Sequence, residues 1–134
     1  MLRDDHKMPS HVLLVEDNEE LRYAYVRMLE NGGYVVHPLR DYVGVLELID
    51  RQHNIGVLIV DIVMPTGTPH GVAIAGMVRQ RRPHLPVVFL TGHPEYVGYL
   101  SDNEKFLLKP VDEGMLLAAV AACLKIDSDY VKER

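Results

Sequence analysis

Five short apolar runs, spread at fairly regular intervals over 134 residues, constrain the fold of this chain more than any other feature. The runs lie at 11–15, 34–39, 55–60, 86–90 and 105–108. Three of them are almost continuous in Val, Leu, Ile or Phe, which is typical of strands that are covered on both faces. We therefore predict five β-strands, of which these three are covered on both faces.

Segments with helical periodicity separate these runs. Asn18 is predicted to cap a first helix that ends near Asn31, before two consecutive glycines. The buried face of this helix is predicted to carry Leu21, Tyr25, Met28 and Leu29. Asp41 is predicted to cap a second helix. That helix is predicted to contain Val45, Leu46, Leu48 and Ile49.

Two more helices are predicted in the second half of the chain. One runs from about residue 71 to 82 and ends before Pro83. The last begins near Asp112. Its core stripe is predicted to comprise Met115, Leu116, Ala119, Val120 and Cys123. Residues 93–104 include Pro94 and several polar residues, so we expect only a short or irregular helix there.

The alternation of strands and helices predicts an α/β fold. Five units of this length, joined by right-handed crossovers, fit a flavodoxin-like, doubly wound parallel sheet with strand order 2-1-3-4-5. We expect this unit to occupy residues 11–126, after a disordered or extended segment at 1–10 and before a charged tail at 127–134. Ligands of such sheets bind at the carboxyl ends of the strands, so the residue that ends each run is a candidate for function.

Polar side chains end four of the five runs. They are Glu16 and Asp17 after the first, Asp61 after the third, Thr91 after the fourth and Lys109 after the fifth. Because these strands are neighbours in the predicted order, their ends are expected to converge at one edge. A single carboxylate at a strand end is more often a helix cap or a solvated group, so the signal lies in the whole set.

Three carboxylates in a small space repel one another, and a divalent cation relieves that repulsion. Oxygen ligands suit Mg²⁺, which tends to bind through one or two carboxylates together with a phosphate. Asp61 can then act as the nucleophile toward a phosphoryl group, with Thr91 and Lys109 contacting the phosphoryl oxygens. Phosphoryl transfer needs positioning and charge neutralisation more than it needs a base.

The motifs around these residues resemble those of the response regulator receiver family over residues 12–124. The resemblance is carried by Val-Leu-Leu-Val-Glu16-Asp17-Asn-Glu, Leu-Ile-Val-Asp61-Ile-Val-Met-Pro, Val-Val-Phe-Leu-Thr91-Gly and Phe-Leu-Leu-Lys109-Pro. It implies a phosphoacceptor domain of a two-component phosphorelay, phosphorylated on Asp61. The donor would be a sensor histidine kinase or a histidine phosphotransfer protein, and the domain would signal by protein–protein interaction.

The resemblance also implies a metal site. Asp17 would ligate Mg²⁺, or Mn²⁺, directly, and Glu16 would act partly through water. Asp61 and the backbone carbonyl of Val63 would supply the remaining protein ligands.

Other matched positions would bind the phosphoryl group and transmit its arrival. Thr91 and Lys109 would bind the phosphoryl oxygens, and the Lys109–Pro110 peptide bond would be cis. Phe106 matches the aromatic switch position, whose ring turns inward when Thr91 moves toward the phosphate. Phosphorylation would therefore shift a pre-existing equilibrium between two conformations.

The chain also departs from the family pattern. The loop at 66–70 is about two residues longer than usual. Only 18 positions (109 − 91) separate Thr91 from Lys109, several fewer than is typical of the family. This shortens the fourth helix, which normally forms part of the output and dimer surface. The resemblance implies that the positions of Val63 and His93 tune self-dephosphorylation. Val63 cannot orient an attacking water, which predicts a phosphate lifetime of minutes or longer, whereas His93 can act in the opposite direction.

Composition excludes several classes of function. The formal net charge of −5 disfavours direct binding of nucleic acid. No apolar run approaches about 18 residues, so no membrane span is expected, and the first ten residues lack the pattern of a secretion signal. The single cysteine excludes an internal disulfide, and the seven histidines show no helical i, i+4 pair that would indicate a metal site. A cytoplasmic location fits these features.

Alternative functions remain on the same fold. The main alternative is a receiver-like interaction domain that works without phosphorylation. A phosphatase would need a second Asp where Val63 stands, and a flavodoxin would need a Ser/Thr/Gly-rich loop after the first strand. We expect no enzyme activity beyond the domain's own phosphotransfer and slow dephosphorylation.

The assembly state is also open. Three small residues of the last helix lie off its core stripe and offer an apolar surface for a partner or for a homodimer. They are Ala118, Ala121 and Ala122. High helix propensity explains them equally well. The chain fits either a stand-alone receiver or part of a longer protein.

Overall fold

The computed structural model describes residues 10–65, 69–96 and 103–132. Five strands run through these residues. They are β1 (His11–Val15), β2 (Val35–Leu39), β3 (Ile55–Asp61), β4 (Val87–Thr91) and β5 (Glu104–Leu108). The described helices are α1 (Glu19–Asn31), α2 (Val45–Arg51), α3 (Gly71–Arg81) and α4 (Glu113–Lys132). A single 3₁₀ turn, Pro94–Tyr96, follows β4.

The five strands form one parallel sheet in the order β2-β1-β3-β4-β5. This confirms the flavodoxin-like α/β fold and the strand order predicted from the sequence. The register brings the strand ends level, because Val15 pairs with Val60, Asp61 with Leu90 and Thr91 with Leu108. The residues that end β1, β3, β4 and β5 therefore meet at one edge.

The sheet is covered on both faces, as its continuous apolar strands predicted. Side chains alternate between the faces, so that Leu13 and Val15 of β1 pack toward α2 and α3, while Val12 and Leu14 pack toward α1 and α4. All four of these side chains are fully buried. Burying each contributes roughly 1.5–3 kcal/mol of transfer free energy, which makes the two apolar layers the main source of stability.

Local chemistry fixes the ends of the longer helices. The side chain of Asn18 accepts a hydrogen bond from the backbone N–H of Leu21 at 2.8 Å, which confirms the predicted cap of α1. The helix ends at Asn31, Gly32 is its C-cap, and Gly33 adopts a positive φ of 92°. Asp112 accepts a hydrogen bond from the N–H of Met115 at 2.8 Å, and α4 begins one residue after it.

Two sequence predictions about the helices are wrong. Asp41 does not cap α2; its carboxylate accepts a hydrogen bond from Val43, and the helix begins only at Val45, after Gly44 turns the chain at a φ of 87°. Met115 is 39% exposed rather than part of the α4 core stripe. It precedes the fully buried Leu116 by one residue, which places it about 100° away around the helix.

Several predicted segments lie outside the described residues. They are 1–9, the middle of the altered loop at 66–68, most of the fourth crossover at 97–102, and 133–134. Of the expected charged tail, residues 127–132 continue α4.

Cys123 is fully buried, as predicted, and burial raises the pKa of its thiol to about 11. Within the part of the chain that the structure describes, no helix combines the length and apolar character needed to cross a membrane.

Candidate functional site

Backbone hydrogen bonds extend past the strand ends and fix the site. The N–H of Glu16 donates to the carbonyl of Leu39 at 3.0 Å, which carries β1 pairing one residue beyond the strand. The N–H of Lys109 donates to the carbonyl of Thr91 at 2.8 Å, so the residue after β5 is held beside the end of β4. The polar side chains therefore stand at the hydrogen-bonded ends of the strands or directly after them.

Asp61 is the last residue of β3, and the residue is only 6% exposed. One oxygen, Oδ1, accepts a hydrogen bond from the N–H of Val63 at 3.1 Å. The other, Oδ2, lies 2.7 Å from the Nζ of Lys109. Both oxygens are thus oriented, and one of them is in contact with a cation.

Lys109 links two carboxylates. Its Nζ donates to Asp61 Oδ2 and, at 3.2 Å, to Oε1 of Glu16. Partial burial lowers the pKa of this ammonium, but the hydrogen bond to Asp61 and the charges of both carboxylates outweigh that effect and raise the pKa overall. Lys109 is therefore a fixed positive charge at neutral pH. The peptide bond between Lys109 and Pro110 is cis.

Glu16 is fully buried, unlike Asp17, which is exposed beside it. Burial raises the pKa of Glu16, and the nearby charge of Asp61 adds to this; the N–H of Asn18 and the ammonium of Lys109 act against it. The hydrogen bond from Asn18 to Oε2 of Glu16 is 3.1 Å long. The site therefore contains a carboxylate that is costly to keep charged without further positive charge.

The acidic cluster fits a hard divalent cation. One carboxylate oxygen from each of Glu16, Asp17 and Asp61 lies within 4.8 Å of the others. Against these three acids the described cleft offers one ammonium, that of Lys109. Oxygen donors at this spacing suit Mg²⁺ or Mn²⁺. Val63, whose backbone carbonyl is the fourth predicted ligand, lies at the rim of the same cleft.

Thr91 ends β4 and is fully buried. Its Oγ1 accepts a hydrogen bond from the N–H of His93 at 3.1 Å. Phe106 lies next to Phe89 in the β4–β5 register, and its half-buried ring packs against the core on the α2–α3 side of the sheet.

The structure thus brings every predicted site residue except Phe106 and Pro110 to one cleft of about 360 Å³. Its described lining also includes Asn18, Leu21, Gly92 and His93.

Two residues that position this site were missed in the sequence. The guanidinium of Arg22 donates to the backbone carbonyl of Glu16 at 2.9 Å, which anchors the turn that carries both acids. Gly71 begins α3 directly against the end of β3, and a Cβ there would lie 2.2 Å from the carbonyl oxygen of Asp61. The only sequence signal for Gly71 was a glycine at the start of a predicted helix. Nothing distinguished Arg22 from any other helix arginine.

Comparison with known proteins gives a consistent result. The family model described as response regulator receiver domain matches residues 12–121. The chain is 29% identical over 127 residues to the phosphoglycerate transport system transcriptional regulatory protein PgtA of Salmonella typhimurium, a match that covers 92% of this chain and 30% of that protein. It is 30% identical over 119 residues to the sensor kinase CckA of Brucella abortus, covering 85% of this chain and 12% of the kinase. The chain therefore spans less than a third of the length of these two relatives.

Solved structures share the fold. A response regulator receiver protein from Sinorhizobium medicae superposes with a TM-score of 0.77 at 24% identity, over 87% of this chain and 95% of that one. The receiver domain of the hybrid histidine kinase CckA superposes with a TM-score of 0.72 at 27% identity, over 86% and 99%. In both comparisons the described sheet and helices correspond to nearly the whole of the other chain.

Proposed function

The chain belongs to the response regulator receiver domain family, and on that premise we propose that Asp61 accepts a phosphoryl group and that the phosphorylated domain signals by binding another protein. The observation that carries this proposal is the position of the Lys109 Nζ, 2.7 Å from Asp61 Oδ2 and 3.2 Å from Glu16 Oε1. A fixed cation beside an oriented carboxylate prepares the place where phosphoryl oxygens would come to lie.

The proposed reaction transfers the group from a phosphohistidine. A carboxylate oxygen of Asp61 forms the new bond to phosphorus, the bond from phosphorus to the donor imidazole nitrogen breaks, and the electron pair stays on the imidazole. Lys109 and the hydroxyl of Thr91 contact the phosphoryl oxygens, as positioning and charge neutralisation require. Mg²⁺ or Mn²⁺, held by Glu16, Asp17, Asp61 and the Val63 carbonyl, supplies further neutralisation when bound.

The proposed switch begins at Thr91. Its Oγ1 is the acceptor for the N–H of His93, so a turn of the hydroxyl toward a phosphoryl group exchanges one hydrogen bond for another. The space that it leaves would be filled by the ring of Phe106, which already packs against the core. Phosphorylation would then change the populations of two conformations, because the phosphoryl group binds only one of them well.

The proposed donor is a sensor histidine kinase or a histidine phosphotransfer protein. A groove on α1 adjoins the acidic site and combines an exposed aromatic ring with charged groups, which suits a protein partner. Its lining is Glu19, Glu20, Arg22, Tyr23, Val26 and Pro38.

On the last helix, Ala118 and Ala121 are exposed, so a homodimer through that face is a second proposed contact. We propose a cytoplasmic location and no direct contact with membranes or nucleic acid.

A measurement of intact mass tests the proposal. The chain is incubated with acetyl phosphate, with and without Mg²⁺, and we expect a gain of one phosphoryl group only when the metal is present. Asp61→Asn should abolish the gain, while Asp50→Asn, which changes an exposed carboxylate on α2, should leave it intact. No gain in the unchanged protein would instead favour an interaction domain that works without phosphorylation.

A further inference from the structure

Two histidines meet on neighbouring strands, away from the acidic cleft. The Nδ1 of His11 on β1 lies 2.8 Å from the Nε2 of His37 on β2, and the two rings are stacked with their centroids 5.1 Å apart. His11 begins β1, five residues before Glu16, so the pair lies roughly 16 Å from the acidic site along the strand direction. The proposed phosphoryl transfer makes no use of either side chain.

The strand register holds the two rings together. His37 pairs with Leu13, and His11 lies two residues before Leu13 on the same strand. Side chains two residues apart on a strand point to the same face, so both imidazoles lie on the side of the sheet that α2 and α3 cover. Both histidines are partly buried and still reached by solvent. Two hydrogen-bonded strands, rather than a loop, therefore fix the spacing of the pair.

The contact between the two ring nitrogens determines their chemistry. At 2.8 Å one nitrogen must donate a proton and the other must accept it. A metal ion can take the place of that shared proton if each ring carries its own proton on its other nitrogen. Burial, followed by the charges of His11 and Arg51, lowers the pKa of His37. His37 is therefore neutral near pH 7, and neutral imidazole is the form that binds metals.

We propose that His11 and His37 together bind one late first-row divalent ion, Cu²⁺ or Ni²⁺, with water at the remaining positions. Two nitrogens that each lie about 2.0 Å from one ion are about 2.8 Å apart when they bind at a right angle, and about 3.3 Å apart when they bind at the tetrahedral angle. The spacing of the pair matches the right angle, which is typical of tetragonal Cu²⁺ and Ni²⁺ sites. A turn of the two rings aims both lone pairs at the ion.

The charges around the pair set the expected strength of binding. Arg51 on α2 is the cation that acts on His37, and it opposes a metal ion. Its guanidinium is 62% exposed and lies 3.8 Å from Oε2 of Glu47, so water and that carboxylate screen its charge. Among the described residues, the group of three or more possible metal ligands is the acidic cluster at the other end of β1. The histidine site therefore has two protein ligands and should bind reversibly.

Calorimetric titration of the metal-free chain with Cu²⁺ tests the proposal. Excess Mg²⁺ is present throughout, so that the acidic cluster does not compete for Cu²⁺. We expect one Cu²⁺ per chain, and His11→Gln and His37→Gln should each weaken its binding by about tenfold or more, since loss of a ligand costs at least as much as loss of a supporting residue. His53→Gln, at an exposed histidine just before β3, is the matched control and should bind Cu²⁺ like the unchanged protein.

Stability gives a second readout. An ion that joins β1 to β2 binds the folded chain better than the unfolded chain, so Cu²⁺ should raise the urea midpoint of the unchanged protein and of His53→Gln but not of His11→Gln or His37→Gln. If either variant fails to fold, the unchanged protein still decides. Substoichiometric Cu²⁺ should then broaden the ring proton resonances of His11 and His37 before those of the other histidines.

Three results would overturn the inference. They are no binding of Cu²⁺ by the unchanged protein, binding that survives either His11→Gln or His37→Gln, and equal weakening by His53→Gln. Each of these results leaves the proposed phosphorylation of Asp61 untouched, because the two sites share no residue.

Discussion

Gly71 shows how little room surrounds the proposed acceptor. It begins α3, and a Cβ at this position would lie 2.2 Å from the carbonyl oxygen and 2.8 Å from the carbonyl carbon of Asp61. These are backbone atoms, so relief requires α3 and β3 to move apart. The N–H of Gly71 also donates to the carbonyl of Ile62 at 2.9 Å, which ties the helix to the strand end.

We predict that Gly71→Ala destabilises the fold by about 1–3 kcal/mol, the usual cost of overpacking, and slows phosphorylation because Asp61 is displaced. Gly76→Ala is the matched control on the same helix, since a Cβ there meets no atom within 4 Å. It should stabilise the protein by roughly 0.5–1 kcal/mol. Urea denaturation measures both, and equal effects of the two substitutions would contradict the contact.

Glu16 shows a conflict between stability and function. Its folded pKa lies above the usual value of 4.5, chiefly because the side chain is buried. An acid whose pKa is higher in the folded state than in the unfolded state binds its proton more tightly when the chain is folded. It therefore stabilises the fold fully at pH values below its pKa in the unfolded state, and this stabilisation is lost as the pH rises through its pKa in the folded state. At pH 7 the ionised Glu16 therefore disfavours folding of the metal-free chain relative to a neutral side chain.

We predict that Glu16→Gln raises the free energy of unfolding at pH 7 without Mg²⁺ and that this gain disappears below about pH 4, where Glu16 is protonated. The same substitution should weaken Mg²⁺ binding. Denaturation at several pH values checks the first effect, with Glu30→Gln as the control at an exposed helix position. A less stable Glu16→Gln at pH 7 would mean that the hydrogen bonds of the ionised form outweigh its burial.

At the scale of the elements, local signals predicted more than long-range ones. Strand bounds agree with the sequence prediction to within one residue, because a short apolar run marks each strand. Asn18 and Asp112 predicted helix starts through side-chain hydrogen bonds that depend only on near neighbours. Asp41 carried the same signal and failed, since Gly44 delays the helix by a turn of its own.

Contacts between elements could not be predicted from local spacing. The sequence shows its histidines as scattered, yet Nδ1 of His11 on β1 and Nε2 of His37 on β2 lie 2.8 Å apart. The pair arises from the register of two parallel strands that are joined through α1. Burial, followed by the charges of His11 and Arg51, lowers the pKa of His37, so His37 favours its neutral form.

The three arginines at the end of α3 each have a partner on another element. Arg79 forms an ion pair with Glu104 at the start of β5, and Arg81 forms one with Asp50 on α2. Arg82 donates to three backbone carbonyls around the end of α2, with distances of 2.8–3.1 Å. Together they fasten α3 to both of its neighbours.

We predict that Arg79→Ala destabilises the fold by about 2 kcal/mol or more, because it removes a largely buried ion pair with Glu104, and the loss of such a pair costs more than the loss of an exposed one. Side-chain exposure is 22% for Arg79 and 14% for Glu104. Arg81→Ala is the matched control, because its pair is about half exposed and should contribute less than about 1 kcal/mol. Equal losses in chemical denaturation would contradict the role of Arg79 in holding β5.

For the whole molecule, the sequence predicted the composition of the site because parallel strands bring their carboxyl ends to one edge. That rule placed Glu16, Asp17, Asp61, Thr91 and Lys109 together without any knowledge of side-chain geometry. It could not show that Lys109 bridges two acids or that Glu16 is fully buried while Asp17 is exposed. Those differences depend on how the helices cover the cleft.

The central claim is that the phosphoryl group resides on Asp61, and its chemical position can be measured directly. The phosphorylated chain is treated with borohydride, which reduces an aspartyl phosphate to homoserine, and the modified residue is located by tandem mass spectrometry. We predict homoserine at position 61 alone, and only after incubation with both the phosphoryl donor and Mg²⁺. Modification at Asp17 or another carboxylate, or a phosphoryl group retained on His93, would contradict the account.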